Sequence, residues 1–186
     1  MSFHLPIETP RLILRKFQHQ DMQKLLAYRN DPEIAKYQTW SLPYSEESAQ
    51  ALYKYLETTT PGTVGKWYQI ASELKSTGEI IGDCAFCILA KDEKQAEIGF
   101  TLAREYQGKG YATEAGRYLI KSLFVNFDLH RICANCDPRN HNSVKLLKNL
   151  GMRQEAHLIK SFWLKGEWVD EMWFAILRSE LPLDIS

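Results

Sequence analysis

The chain has 186 residues, 45% of them hydrophobic, and its 23 Lys and Arg side chains equal its 23 Asp and Glu in number. That length supports one compact domain with a substantial core. The charge balance offers no footprint for nucleic acid or an anionic membrane, and no apolar run approaches a membrane span. The polar opening MSFHLPIETPR does not read as a signal peptide, so the expected compartment is the cytoplasm.

Residues 11–15, after Thr9-Pro10, predict a first strand. Residues 19–29 carry Met22, Leu25, Leu26 and Ala27 at helical spacing, ended by Asn30-Asp31-Pro32. Residues 32–37 read as a turn into a polar, aromatic loop. Ser45 is a cap candidate for a helix through Leu56, with Glu46 and Glu47 at its positive end. Residues 67–74 and 79–89 flank Lys75-Ser76-Thr77-Gly78 as a hairpin, with Gly78 at a positive-φ site.

The cysteines fall as Cys84-x-x-Cys87 and Cys133-x-x-Cys136, a spacing that raises a zinc site. Both pairs lie in apolar runs that read as strands. Residues three apart on a strand face opposite sides, so the two thiols of a pair could not grip one ion. Buried, reduced thiols are expected and no metal.

The most informative stretch is 95–126, QAEIGFTLAREYQGKGYATEAGRYLIKSLFVN. Its first residues alternate as a half-buried strand, and from Tyr111 the apolar residues recur at helical steps. Two glycines separate the elements. A helix start leaves backbone N–H groups unpaired at a partly positive end, which favours an anion. Gly108 and Gly110 let backbone come close to a ligand, and Ala112 keeps the first turn small. Gln107 can hold the loop or donate to a phosphate, and Lys109 adds a positive charge. Residues 107–113 are therefore read as a pyrophosphate cradle, against the plainer alternative of an ordinary glycine loop. A P-loop is excluded because Lys109 is followed by Gly110 rather than Ser or Thr. A dinucleotide fingerprint is excluded because Thr113 stands at its third glycine.

Beyond it, residues 131–137 predict a strand, 140–150 a short helix ended by Gly151, and 152–164 with 168–177 a closing hairpin. His130 and Arg131 are expected to end the central helix favourably. The order implies an α+β mixed sheet with helices on both faces.

Gln107-x-x-Gly110-x-Ala112 resembles the acetyl-CoA pyrophosphate motif of the Gcn5-related N-acetyltransferases (GNAT). The opening Glu8-Thr9-Pro10-Arg11-Leu12-Ile13-Leu14-Arg15 is similar to the ribosomal-protein N-terminal (RimJ/RimL-like) branch. So are Asn140-His141-Asn142-Ser143-Val144 and the closing Gly166-Glu167-Trp168-Val169-Asp170. The resemblance covers nearly the whole chain. It implies a single acyl-CoA N-acyltransferase domain over 1–186 and a mostly antiparallel sheet of six to seven strands, with a splayed central pair admitting pantetheine. It also implies acetyl transfer from acetyl-CoA to a primary amine, either a protein N-terminal α-amine (a ribosomal protein, for example) or a small amine. Attack would be direct, in a ternary complex, and a homodimer is a family-level expectation. A non-catalytic acyl-CoA-binding or sensing module is the alternative.

By the same resemblance, Phe100, Thr101, Leu102, Gln107, Gly108, Lys109, Gly110, Tyr111, Ala112, Thr113, Asn140 and Ser143 would hold the cofactor. Glu97 matches the position of the glutamate base in histone-acetylating relatives; a solvent-side strand carboxylate is its other reading. Ser143, the second catalytic candidate, would lie near the sulfur and Asn140 against the cofactor, although both also suit a helix start. Backbone N–H groups of residues 98–102 would meet the oxyanion, with Gly99 marking a bulge. Two positions depart from the pattern: Leu147 stands where many members have a general-acid tyrosine, and Phe162 where some have a glutamate. Tyr37, Trp40, Tyr44, Trp163 and Trp168 lie in segments that, by the resemblance, would frame the acceptor side, with two or three expected to touch substrate.

Overall fold

A computed structural model describes residues 3–181; Met1 and Ser2, part of the stretch judged not to be a signal peptide, lie outside them. The elements in chain order are β1 (Ile7–Glu8), β2 (Leu12–Arg15), α1 (Met22–Arg29), α2 (Pro32–Ala35) and α3 (Glu46–Thr58). Then come β3 (Tyr68–Leu74), β4 (Glu79–Ile88), β5 (Gln95–Leu102), α4 (Tyr111–Asn126), β6 (Arg131–Cys136), α5 (His141–Asn149), β7 (Arg153–Leu164) and β8 (Glu167–Leu177). They form one eight-stranded sheet, ordered β1-β2-β3-β4-β5-β6-β8-β7.

The strand beyond the expected seven is β1, whose two residues face Leu14 and Ile13. Two residues are too few to show alternation. The expected turn at 32–37 likewise holds a four-residue helix, α2. Its start is fixed by Pro32 and by Asp31 Oδ1, which accepts from Glu33 N at 2.9 Å. His130 does not end α4: it lies beyond that helix, its N–H donating to Lys94 O at 2.7 Å.

The sheet is covered on both faces. On one, Tyr28 of α1 donates its hydroxyl to Asp83 of β4 at 2.6 Å. On the other, α4 buries Ala115, Leu119, Ile120, Leu123 and Phe124, each large apolar side chain contributing about 1.5–3 kcal/mol. A Cβ on Gly116 would come 2.8 Å from Leu150 and 3.2 Å from Phe100, so this glycine sets how closely α4 lies on α5 and β5.

All pairing is antiparallel except between β5 and β6. That parallel pair is joined only at Gln95–Arg131, Ala96–Ile132 and Glu97–Cys133. Both strands continue past it, β5 to Leu102 and β6 to Cys136, without pairing to each other. The expected splay is therefore present, and beyond Glu97 that edge of β5 has no strand partner among the described residues. Pairing of β5 with β4 runs without a shift from Ala96 to Leu102, so the bulge expected at Gly99 is absent.

Candidate active site

The bare edge of β5 leads through a short 3₁₀ turn, Arg104–Tyr106, to the glycine loop and α4. Gly110 occupies the N-cap position at φ +82° with no side-chain cap. The first intrahelical bond is Glu114 N to Gly110 O, at 3.0 Å. The amides of Tyr111, Ala112 and Thr113 thus have no acceptor within the helix, and their partial positive charge faces outward. Gly108 is also left-handed, at φ +74°, and a Cβ there would meet nothing within 4 Å. Room and donors for an anion coincide.

Gln107 holds the loop: its Nε2 donates to Leu102 O at 2.9 Å, and its Oε1 accepts from Asn142 at 3.4 Å. Lys109 is exposed, its ammonium 5.7 Å from the Tyr106 ring. Phe100, Thr101, Leu102, Tyr111 and Ala112 line one small cavity between the end of β5 and the first turn of α4. Asn140 caps α5, its Oδ1 accepting from Ser143 N at 3.2 Å. The cap reading of these two residues therefore holds. Both are half-buried and sit where β6 leads into α5.

Glu97 occupies the last paired position before the strands part. Its face of the sheet carries Cys87 from β4 and Cys133 from β6. Asn135 donates to Glu97 Oε1 at 3.3 Å. Burial raises the Glu97 carboxyl above its usual range, the negative charge of Glu171 adds to this, and Lys91 opposes both. Ser161 donates to Glu171 at 2.8 Å. A half-buried carboxyl raised by desolvation is suited to accepting a proton. Asn135 and Glu171 lie far from Glu97 in sequence, and no local pattern marked them.

The thiols are protonated at neutral pH: burial first, with Glu97 adding, pushes Cys133 up to about 11, and burial takes Cys84 to about 12. Cys84 lies opposite Phe100 on β5 and Cys87 opposite Glu97, so the pair points to opposite faces. Among the described residues no group of three or more His, Cys, Asp or Glu side chains is placed to hold a metal.

Leu147 is buried in the core, and Phe162 is partly exposed on β7. Of the aromatics, Tyr44 and Trp40 pack about the buried Arg29, whose guanidinium lies 5.0 Å and 4.6 Å from their rings. Trp163 and Trp168 are exposed and meet edge-on at 5.4 Å. The Tyr37 hydroxyl donates to Arg139 O at 3.3 Å, beside Asn140.

A mixed sheet parted at its middle, with an uncapped helix start at the end of the gap, is the framework of an enzyme that takes an acyl group from a coenzyme thioester. The comparisons make this specific. The acetyltransferase (GNAT) domain profile matches residues 11–153, and the chain belongs to the GNAT family of N-acetyltransferases. An uncharacterized N-acetyltransferase of Bacillus licheniformis, p20, is 35% identical over 92% of this chain and 96% of its own length. A GNAT-family acetyltransferase crystal structure from Bacillus anthracis superposes with a TM-score of 0.84 at 28% identity, covering 94% of this chain and 99% of that one. Mycobacterium smegmatis RimJ, solved with CoA-disulfide, shares the fold at a TM-score of 0.80 and 24% identity, covering 97% and 89%.

Proposed function

We propose that the chain transfers an acetyl group from acetyl-CoA to a primary amine, a protein N-terminal α-amine or a small amine, by direct attack within a ternary complex. The observation that carries this is the early parting of β5 from β6 beside the uncapped start of α4. Acetyl-CoA supplies the activated acyl thioester. The amides of Tyr111, Ala112 and Thr113, left uncrowded by Gly108 and Gly110, hold its diphosphate, and Lys109 adds charge. Gln107 keeps that loop in place through Leu102 O. The bare edge of β5, at Phe100, Thr101 and Leu102, receives the pantetheine amides and offers N–H groups to the developing oxyanion. Asn140 and Ser143 line the opposite wall.

Glu97 is the proton acceptor in this reading, directly or through water. An amine of pKa near 10.4 costs roughly 4.6 kcal/mol to deprotonate at pH 7, and an α-amine near 8 only about 1.4 kcal/mol. An α-amine acceptor therefore asks less of the base. As the C–S bond breaks, CoA leaves as the thiolate and, with Leu147 in place of the general-acid tyrosine, takes its proton from solvent. Thiol release from acetyl-CoA, assayed with ribosomal N-terminal peptides and small amines, tests the reading. Turnover of at least one panel member is expected. Coenzyme binding with no turnover on any amine would leave a non-catalytic acyl-CoA sensor instead.

A further inference from the structure

The cradle contains a contradiction that one arginine resolves. Glu114 lies in the first turn of α4. A carboxylate there is attracted to the helix end, but it also repels any phosphate seated on the same amides. Its charge is taken up: the carboxylate accepts from Thr9 Oγ1 at 2.5 Å, from Arg11 N at 2.8 Å and from Arg11 Nε at 2.6 Å. The side chain is 11% exposed. Burial opposes its ionised form, yet the bonds from Thr9 and Arg11 prevail and hold the carboxyl below its usual range.

The rest of the guanidinium is turned to the loop. Arg11 Nη1 donates to Lys109 O at 3.0 Å, and Cζ lies 4.4 Å over the Tyr111 ring. Nη2 has no acceptor among the described residues and lies 3.4 Å from where a Cβ on Gly110 would stand. A residue just before β2, 103 positions from Glu114, thus touches both ends of the anion-binding turn.

We propose that Arg11 is a positioning residue of the coenzyme cradle, cancelling the Glu114 charge at the mouth of α4 and fixing the Lys109 carbonyl so that a phosphate can approach the free amides. This rests on the reading of the cradle as a diphosphate site.

The test is a double-mutant cycle, with CoA affinity by calorimetry and, on an active amine, the KM for acetyl-CoA against kcat. Arg11→Ala exposes Glu114 and is expected to weaken CoA about tenfold, equivalent to about 1.4 kcal/mol. Its kcat at saturating acetyl-CoA should stay near the wild-type value. Glu114→Gln alone should bind CoA nearly as well as wild type, and adding it to Arg11→Ala should recover most of the loss. A strut without an electrostatic role predicts the opposite: both Glu114→Gln and the double variant would bind as weakly as Arg11→Ala, and that result overturns the inference. So does Arg11→Ala binding CoA as tightly as wild type. Should Arg11→Ala fail to fold, Arg11→Gln, which keeps a donor for Glu114 without the charge, replaces it in the cycle. Failure of the wild-type chain to bind CoA would sink the diphosphate reading itself and this inference with it.

Discussion

Two helices begin beside the parted strands, and they begin differently. Asn140 closes the start of α5 with its own side chain, as Ser45 does for α3 by accepting from Ser48 N at 3.1 Å. The 16-residue α4 starts from a left-handed glycine with no side-chain cap, and its first three amides have no acceptor among the described residues. A cap is worth about 1 kcal/mol. α1 also lacks a side-chain cap, but it runs on directly from the 3₁₀ turn His19–Asp21, whereas α4 opens from a left-handed glycine after a glycine loop, the start expected of a helix left open for a ligand.

The largest expected effect breaks the open start. Gly110→Trp puts an indole over the free amides and should remove detectable CoA binding. At φ +82° a side chain also costs about 1–2 kcal/mol, so the melting temperature should fall by several degrees while the fold survives. Melting curves with and without CoA check both parts. A CoA-induced rise that persists in the variant would mean the ligand sits elsewhere.

Next in size is Glu97→Gln, which keeps the hydrogen bond from Asn135 within reach but removes the proton acceptor. It should lower kcat by about 10²-fold, with little change in the KM for acetyl-CoA. A raised KM at unchanged kcat would remove Glu97 as the base.

These two residues also show where the sequence was legible. The glycine turn and Glu97 are local features: alternation, helical spacing and two small residues announce a strand, a loop and a helix within thirty-odd positions. The splay is not local. It depends on where β5 stops pairing with a strand that follows a whole helix later, and nothing in either strand marks Glu97–Cys133 as the last pair. The same distance hid Asn135, 38 positions from Glu97, and the Arg11–Glu114 contact. Arg11 stood in a recognised motif but read only as a strand residue. β1 and α2 were missed because two and four residues are too short to show a period. At Gly99 glycine permits a bulge, but the β4–β5 register runs through it unbroken.

A smaller effect concerns the charge around Glu97. Glu171 helps raise the Glu97 carboxyl by disfavouring a second negative charge nearby. Glu171→Gln removes that repulsion, favours the ionised form and lowers the pKa of Glu97. As the base must be deprotonated, the acid limb of the kcat/KM profile should move to lower pH. An unmoved limb would show that another group sets it.

The smallest effect sharpens the comparison from its other side. Ser45→Ala deletes the cap of α3, far along the chain from the cradle, and should cost about 1 kcal/mol, or about 2–4 °C in melting temperature. CoA affinity and the KM for acetyl-CoA should not change, because the hydroxyl that is lost serves only Ser48 and the helix start. Gly110→Trp and Ser45→Ala both alter a helix start, yet one is expected to move binding far more than stability and the other stability alone. If Ser45→Ala also weakened CoA, the α3 start would be coupled to the cradle through the fold, and the absence of a cap on α4 could no longer be read as the mark of a ligand site.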